Sequence, residues 1–385
     1  TQDYAPHVLA VTGTNGKTTV TALTRHMIVS SGMTAVAAGN IGPAALTALM
    51  TALDAEDLPQ VWVIELSSFQ LETTVSLKPD AAVVLNVTQD HLDWHGNEAA
   101  YATAKSRIYT NARIRIANRD DAQVLSMVGD TQALPVRTFG RDVPQLVGDL
   151  GLETGAGVAW LCAAQSQGLD EDAPPPKRKK NAPEPVREAG RLTRLMPVDA
   201  LRLRGSHNAC NVLAALALAR TLNLGWGALL RAARDYDGEP HRTTFVRSIG
   251  GVDFINDSKG TNVGASVAAL EGMGQPVVLI AGGLGKGQDF APLAQAVARH
   301  ARAVVLIGQD AALIAAVLGE AAMPIERADR LDDAVARAMA LAEAGDAVVL
   351  SPACASMDMF RNYGHRGDAF VDAVQSLALD RGEVA

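Results

Sequence analysis

The stretch "VLAVTGTNGKTTVTAL", residues 8–23, changes character twice within a few positions. Residues 7–13 form an apolar run of strand character, residues 17–31 carry apolar side chains at helical spacing, and glycine, threonine and asparagine fill the join. A buried strand that breaks into a glycine turn and restarts as a helix makes an anion cradle. Glycines let backbone N–H groups turn inward, and the helix aims its positive end at the same point. The long phosphate-loop pattern asks for a glycine six residues ahead of the lysine, and Val11 stands there instead. The shorter run Gly13-Thr14-Asn15-Gly16-Lys17-Thr18, continued by Thr19, keeps the physics. Lys17 suits the β- and γ-phosphates of a nucleotide, and the Thr18 hydroxyl suits Mg²⁺. A plain strand–turn–helix connection would read similarly, and so would the loop of a kinase or GTPase. The rest of the chain must separate them.

Working outward, 385 residues suggest two or three domains, and 48% hydrophobic against 20% charged residues permit a large core. A net charge of -8 excludes a general nucleic-acid binder, so a polyanion must be held by a local site. Three widely spaced cysteines, Cys162, Cys210 and Cys354, form neither a zinc pattern nor a disulfide framework, which points to a reducing, cytoplasmic setting. No apolar run is long enough to span a bilayer, so no membrane partner is expected.

"VWVIEL" (61–66) and "AAVVLNV" (81–87) are continuous apolar runs that suit parallel strands covered on both faces, and residues 99–111 and 208–222 have helical periodicity. Proline and charge dominate residues 170–195, which read as a mobile surface loop with "KRKK" (177–180) as solvated charge. After "DGEPHR" (237–242) the alternation restarts. "VDFIND", "PVVLIAGG", "AVVLIG" and "AVVLSPA" alternate with helical stretches near 261–272, 290–300, 310–318 and 331–344. The expectation is α/β throughout: a phosphate-loop domain over 1–238 with a mostly parallel sheet, then a second α/β domain over 239–385.

Carboxylates and histidines cluster where these strands end. Glu65 closes a buried strand, at the edge where ligands of parallel sheets bind, and could hold Mg²⁺ or merely end the strand. Asp90, His91, Asp93 and His95 follow the next strand and could serve a metal or form a solvated turn. Lys105, on the helix after them, reads by itself as a solvated charge. Cys354 reads as a packed thiol.

GTNGKTT (13–19), GNIG (39–42), ELSSFQLE (65–72), NVTQDHLDWHG (86–96) and AKSRIY (104–109) occur in this order, and together they resemble the central ATPase domain of the bacterial Mur ligases. ELSSFQL and SPACASMDMF (351–360) are most similar to the members that add D-glutamate. The resemblance covers nearly the whole chain apart from residues 140–200, and it implies a Rossmann-like second domain.

The resemblance also implies roles. Lys105 would be carbamylated by CO₂, which turns an ammonium into an anion that can face a metal. Thr18, Glu65, His91 and Lys105 would then hold two Mg²⁺. Asn208 and Asn211 would approach the adenine and ribose of ATP, and Arg242 would reach its phosphates. Asp257 and Lys259, in NDSKGTN with Gly260 at a family alanine position, would be nucleotide-side contacts. Thr261, Lys286, Ser356 and Tyr363 would hold the amino acid, tyrosine standing where phenylalanine is usual, and Asn40 would contact the sugar-peptide substrate.

The implied reaction joins D-glutamate to UDP-N-acetylmuramoyl-L-alanine, for peptidoglycan precursor synthesis, through an acyl phosphate. Lys17 and Arg242 would screen the charge, and His91 would help to deprotonate the amine. The two halves would close on one another in a monomer. Another Mur-type ligase, a folylpolyglutamate ligase, a phosphotransferase acting on a small acceptor and a non-catalytic ATP-binding module are the alternatives. The chain begins at Thr1 and its phosphate-loop strand follows within ten residues, so the expectation is a sequence without the family's UDP-binding N-terminal domain and with weak affinity for the UDP-sugar.

Overall fold

The computed structural model describes residues 4–166, 186–203, 205–319 and 323–383. Its described residues group into two compact units. One is formed by Thr1–Val87, Ala99–Leu203 and Asn208–Asp237, the other by Thr88–Glu98, Arg204–His207 and Gly238–Ala385.

In the first unit the strands are β1 (His7–Thr12), β2 (Ala35–Gly39), β3 (Val61–Glu65), β4 (Ala81–Val84), β5 (Ile114–Asn118), β6 (Val136–Phe139), β7 (Leu150–Gly155), β8 (Val158–Gln165) and β9 (Arg191–Pro197). They form one sheet in the order β2-β3-β1-β4-β5-β6-β7-β8-β9, parallel up to β7 and antiparallel beyond it. The continuous apolar runs are explained by burial on both faces. Leu9 and Val11 of β1 pack with Val20, Leu23 and Met27 of the helix Lys17–Ser30 and with Val212, Leu213 and Leu216 of the helix Ser206–Arg220. Ala10 points to the other face, among Leu71, Tyr101 and Ile108. The strand order also fixes where a ligand can enter. β1 lies between β3 and β4, and the chain turns to opposite sides of it, so a crevice opens at its carboxyl end.

Two expectations are corrected here. The apolar run 81–87 stops being a strand at Val84: Leu85 N–H still donates to the Thr12 carbonyl of β1 (2.9 Å), but the Asn86 carbonyl accepts from Thr14 N–H of the phosphate loop (2.9 Å). Of the loop expected over 170–195, residues 170–185, "KRKK" included, lie outside the described residues. Residues 191–195 instead begin β9, which pairs antiparallel with β8. Just before that strand the buried Arg187 forms an ion pair with buried Asp149 and donates to the Thr131 carbonyl at 3.0 Å, so this charge lies inside the fold.

In the second unit β10 (Thr244–Ile249) and β11 (Val252–Asn256) form an antiparallel hairpin. β12 (Val277–Gly282), β13 (Ala301–Ile307), β14 (Ile325–Arg327) and β15 (Ala347–Leu350) are parallel to β11. The order is β10-β11-β15-β12-β13-β14. Helices cover both faces of this sheet, with Phe254, Val348, Phe370 and Val374 in one core and Leu279, Leu293, Val349 and Ile314 in the other. The last helix, Tyr363–Asp380, was not read from the sequence; it begins at Asn362, whose side chain accepts from His365 N–H at 2.9 Å. No helix of the described residues is long and apolar enough to cross a membrane.

Candidate active site

The phosphate loop leaves β1 with two backbone turns that only glycine takes easily. Gly16 is left-handed (φ 82°), and a Cβ there would meet Asn211 Oδ1 at 2.5 Å. Gly13 packs so closely that a Cβ would lie 2.9 Å from that of Leu85. Asn86 brackets the loop: its Oδ1 accepts from Asn15 N–H at 2.8 Å and its Nδ2 donates to the Asn15 carbonyl at 3.2 Å. The helix Lys17–Ser30 then starts with no side-chain cap, so the N–H groups of its first turn, with Thr18 and Thr19, are presented at the crevice.

Lys17 Nζ donates to the carbonyls of Gly13 (2.9 Å) and Thr14 (2.8 Å). Lys105 is not a solvated charge. It is 1% exposed, donates to the Gly13 carbonyl at 2.8 Å and lies 4.4 Å above the ring of Tyr101, whose hydroxyl is 3.2 Å from Thr14 Oγ1. Sequence pattern alone misplaced it because helical periodicity does not show that this helix packs its lysine face inward, where a carbonyl and an aromatic face receive the ammonium.

Glu65 ends β3 in register with Val11 and is 2% exposed. Its Oε1 accepts from Asn40 Nδ2 at 2.8 Å, whereas Oε2 has no hydrogen-bond partner among the described residues. A buried carboxylate oxygen without a donor is costly unless a cation meets it, and a hard divalent ion with oxygen ligands suits this atom and the Thr18 hydroxyl. An ammonium such as that of Lys105 would repel such an ion. Among the described residues no three His, Cys, Asp or Glu side chains cluster as a metal site. His91 belongs to the second unit, with Nε2 at 3.7 Å from Asp90 Oδ2, and the Asp93 side chain lies outside the described residues. Asn208 is buried and accepts from Asn211 Nδ2 at 3.1 Å, so the pair stands one turn apart on its helix, beside Gly16.

In the second unit three loops leave the carboxyl ends of β11, β12 and β15. Asp257 follows β11 and is buried. Its Oδ2 accepts from Ser351 Oγ at 2.7 Å, and its Oδ1 accepts from Thr243 N–H at 3.1 Å. Burial pushes its carboxyl up to about 6, against the opposing pull of the Ser351 hydrogen bond and the Arg242 charge. Asp257 therefore braces three segments of its own unit. Lys259 Nζ lies 3.9 Å above the ring of the partly exposed Tyr363. Ser356 is buried, Thr261 is half-buried, and Lys286 sits at φ 54° with Nζ 3.2 Å from Asp90 Oδ1. Burial raises the Cys354 thiol to about 12, which fits a packed side chain and not a nucleophile.

The sequence reading passed over Asn86 and Arg366. Arg366 is 1% exposed and donates to Ser258 Oγ (3.0 Å), the Ser258 carbonyl (2.8 Å) and the Cys354 carbonyl (3.1 Å), which joins the loops after β11 and β15. Burial lowers its guanidinium to about 10. Its signal was present: Arg366 shares the i, i+4 spacing of Phe370, Val374 and Ala378, the buried face of its helix.

A phosphate loop carrying Lys17, beside a buried carboxylate with one oxygen unpartnered among the described residues and with Lys105 reaching the loop from a neighbouring helix, defines a nucleotide-using enzyme. The profile of the Mur ligase middle domain matches residues 11–153, and that of the Mur ligase glutamate ligase domain matches residues 241–354. The chain belongs to the Mur ligase family. Within it, the chain is 68% identical over 384 residues to the UDP-N-acetylmuramoylalanine–D-glutamate ligase of Bordetella pertussis, covering 100% of this chain and 75% of that protein. It is 54% identical over 387 residues to the ligase of the same name from Ralstonia nicotianae, covering 99% of this chain and 76% of that protein. Solved structures share the fold at low identity. The chain aligns with MurF of Thermotoga maritima in complex with ADP at a TM-score of 0.68 and 16% identity, over 99% of this chain and 82% of that one. It aligns with folylpolyglutamate synthase of Mycobacterium tuberculosis at a TM-score of 0.64 and 18% identity, over 97% of this chain and 91% of that one.

Proposed function

We propose that the chain joins D-glutamate to UDP-N-acetylmuramoyl-L-alanine at the expense of ATP, in the synthesis of peptidoglycan precursors, through an acyl phosphate. The observation that carries this reading is the 68% identity, over the whole chain, to a ligase of that name. In the first step a carboxylate oxygen of the alanyl group attacks the γ-phosphorus, and the bond to the bridging oxygen of ADP breaks. Two anions must approach, so Lys17, the first-turn N–H groups of its helix and Arg242 lower the repulsion.

Thr18, Glu65, His91 and carbamylated Lys105 would hold Mg²⁺ at two sites, and the unpartnered Oε2 of Glu65 favours a cation at that residue. When bound, the metal supplies charge neutralisation and Lewis acidity at the phosphates. Asn208 and Asn211 serve the adenine and ribose of ATP, Asp257 and Lys259 are nucleotide-side contacts, and Asn40 contacts the sugar-peptide substrate.

In the second step the amine nitrogen of D-glutamate bonds to the acyl carbon, phosphate leaves, and the amine proton passes to a base, for which His91 is one candidate when its nitrogen does not hold the metal. Lys286, Thr261 and Ser356 hold the carboxylates of the amino acid, and Tyr363 stacks beside it.

The test is ADP formation with MgATP, UDP-N-acetylmuramoyl-L-alanine and a panel of amino acids. Turnover is expected with D-glutamate. Turnover driven by a different amino acid, or phosphate release without any, would overturn the reading.

A further inference from the structure

Lys286 is an unusual place for a residue that must aim a charge. It has a left-handed backbone (φ 54°) in a glycine-rich turn, where nothing in its own conformation fixes it. The turn is held from outside by two side chains. Asp310 Oδ2 accepts from Gly285 N–H at 2.6 Å. Gln288 does more: its Oε1 accepts from Val263 N–H at 3.0 Å, and its Nε2 donates to the Gly285 carbonyl at 2.9 Å and, at the limit of hydrogen bonding, to the Ala353 carbonyl at 3.5 Å. One donor face meets two carbonyls and one acceptor faces an N–H, so the amide orientation is fixed by its partners.

These contacts fall on three separate segments, two loops and a helix start. Gly285 directly precedes Lys286, Val263 opens the helix two residues after Thr261, and Ala353 stands three residues before Ser356. We infer that Gln288 is a positioning residue that sets the spacing of Lys286, Thr261 and Ser356, and thereby the fit of a dicarboxylic amino acid. The inference rests on the function proposed above, in which these three residues grip the amino acid. A substrate with two carboxylates needs two anchoring points at a fixed separation, and a side-chain amide that joins the loops carrying them is a direct way to fix it.

The experiment is steady-state kinetics of the full chain and its Gln288→Ala, Gln288→Met and Gln288→Glu variants, with melting temperatures alongside. Methionine keeps the bulk without the hydrogen bonds and serves if alanine does not fold. Glutamate keeps an acceptor for Val263 but turns an oxygen toward two carbonyls. The expected result is a KM for D-glutamate raised about tenfold in the alanine and methionine variants and at least as much in the glutamate variant, with KM for ATP within about twofold. An unchanged KM for D-glutamate, or KM values for D-glutamate and ATP that rise together, would overturn the inference while leaving the ligase reading intact. A parent chain without D-glutamate-dependent ADP formation would overturn both.

Discussion

Lys17 and Lys105 donate to one acceptor, the Gly13 carbonyl, at 2.9 and 2.8 Å. One lysine comes from the phosphate loop and the other from the helix Glu98–Ser106. A carbonyl oxygen with two lone pairs can accept both, but the arrangement places two cations at the head of the loop that must receive nucleotide and metal. A phosphate gives Lys17 a better partner. As an ammonium Lys105 would oppose a metal there, and the carbamate proposed above would remove that repulsion.

On the proposal that carbamylated Lys105 holds the metal, Lys105→Ala is expected to lower kcat by about a thousandfold or more, because that ligand would be lost. Added short carboxylates such as acetate should restore part of it by occupying the vacated space. Steady-state turnover with and without the additive measures this; full activity without any addition removes carbamylation from the mechanism.

Asn86 bears on nucleotide affinity through the loop it brackets. Asn86→Ala removes both side-chain hydrogen bonds to Asn15, and a stability loss of about 1–3 kcal/mol is expected, with KM for ATP raised more than KM for D-glutamate. Asn86→Asp keeps the acceptor for Asn15 N–H and should fall between. Urea unfolding and the two KM values check this, and equal shifts in both would make Asn86 a stability residue alone.

Gly260 stands where the resembling family carries alanine, and a Cβ would lie 2.7 Å from Asp257 Oδ2 and 2.8 Å from Ser351 Oγ. Gly260→Ala should press on that pair and destabilise the second unit by about 1–3 kcal/mol, read as a lowered urea midpoint. A variant as stable as the parent would show that the Asp257–Ser351 contact lengthens without cost.

Asp257 predicts a pH dependence of opposite sign to that of most carboxylates. Its folded carboxyl is raised to about 6 from 3.8, so the folded state favours the proton. Its contribution to stability is complete below about pH 4 and is lost as pH rises through about 6, a change of roughly 3 kcal/mol at most. Asp257→Asn, which cannot ionise, should lack this slope. Unfolding free energies between pH 4 and 7 for both proteins test it, and identical slopes would assign the effect elsewhere.

Much of the architecture was legible because parallel strands buried on both faces must be apolar throughout. "VLAVTG", "VWVIEL", "PVVLIAGG", "AVVLIG" and "AVVLSPA" could scarcely read otherwise, whereas "VDFIND" alternates and pairs with the edge strand β10. The antiparallel strands were harder. β9 reads "RLTRLMP", and only Met196 is buried, so its pattern resembles the charged stretch before it. Phosphate-loop chemistry was equally legible, since glycine, lysine and threonine at fixed spacing do local work. Asn86 and Gln288 were not, since a polar residue that braces a loop looks in sequence like one that faces water.

The sequence by itself determined the α/β class, the phosphate loop at the end of β1 and, through long ordered motifs, the Mur ligase family, because these depend on side-chain type and spacing within single segments. Only the tertiary structure decided that Lys105 is buried against Gly13 and Tyr101, that Glu65 keeps one oxygen without a partner, and that Asp257 and Gln288 brace the loops around them. Those facts depend on which strand ends lie side by side in the sheet. Strand order arises from long-range packing, and no local run of residues encodes it.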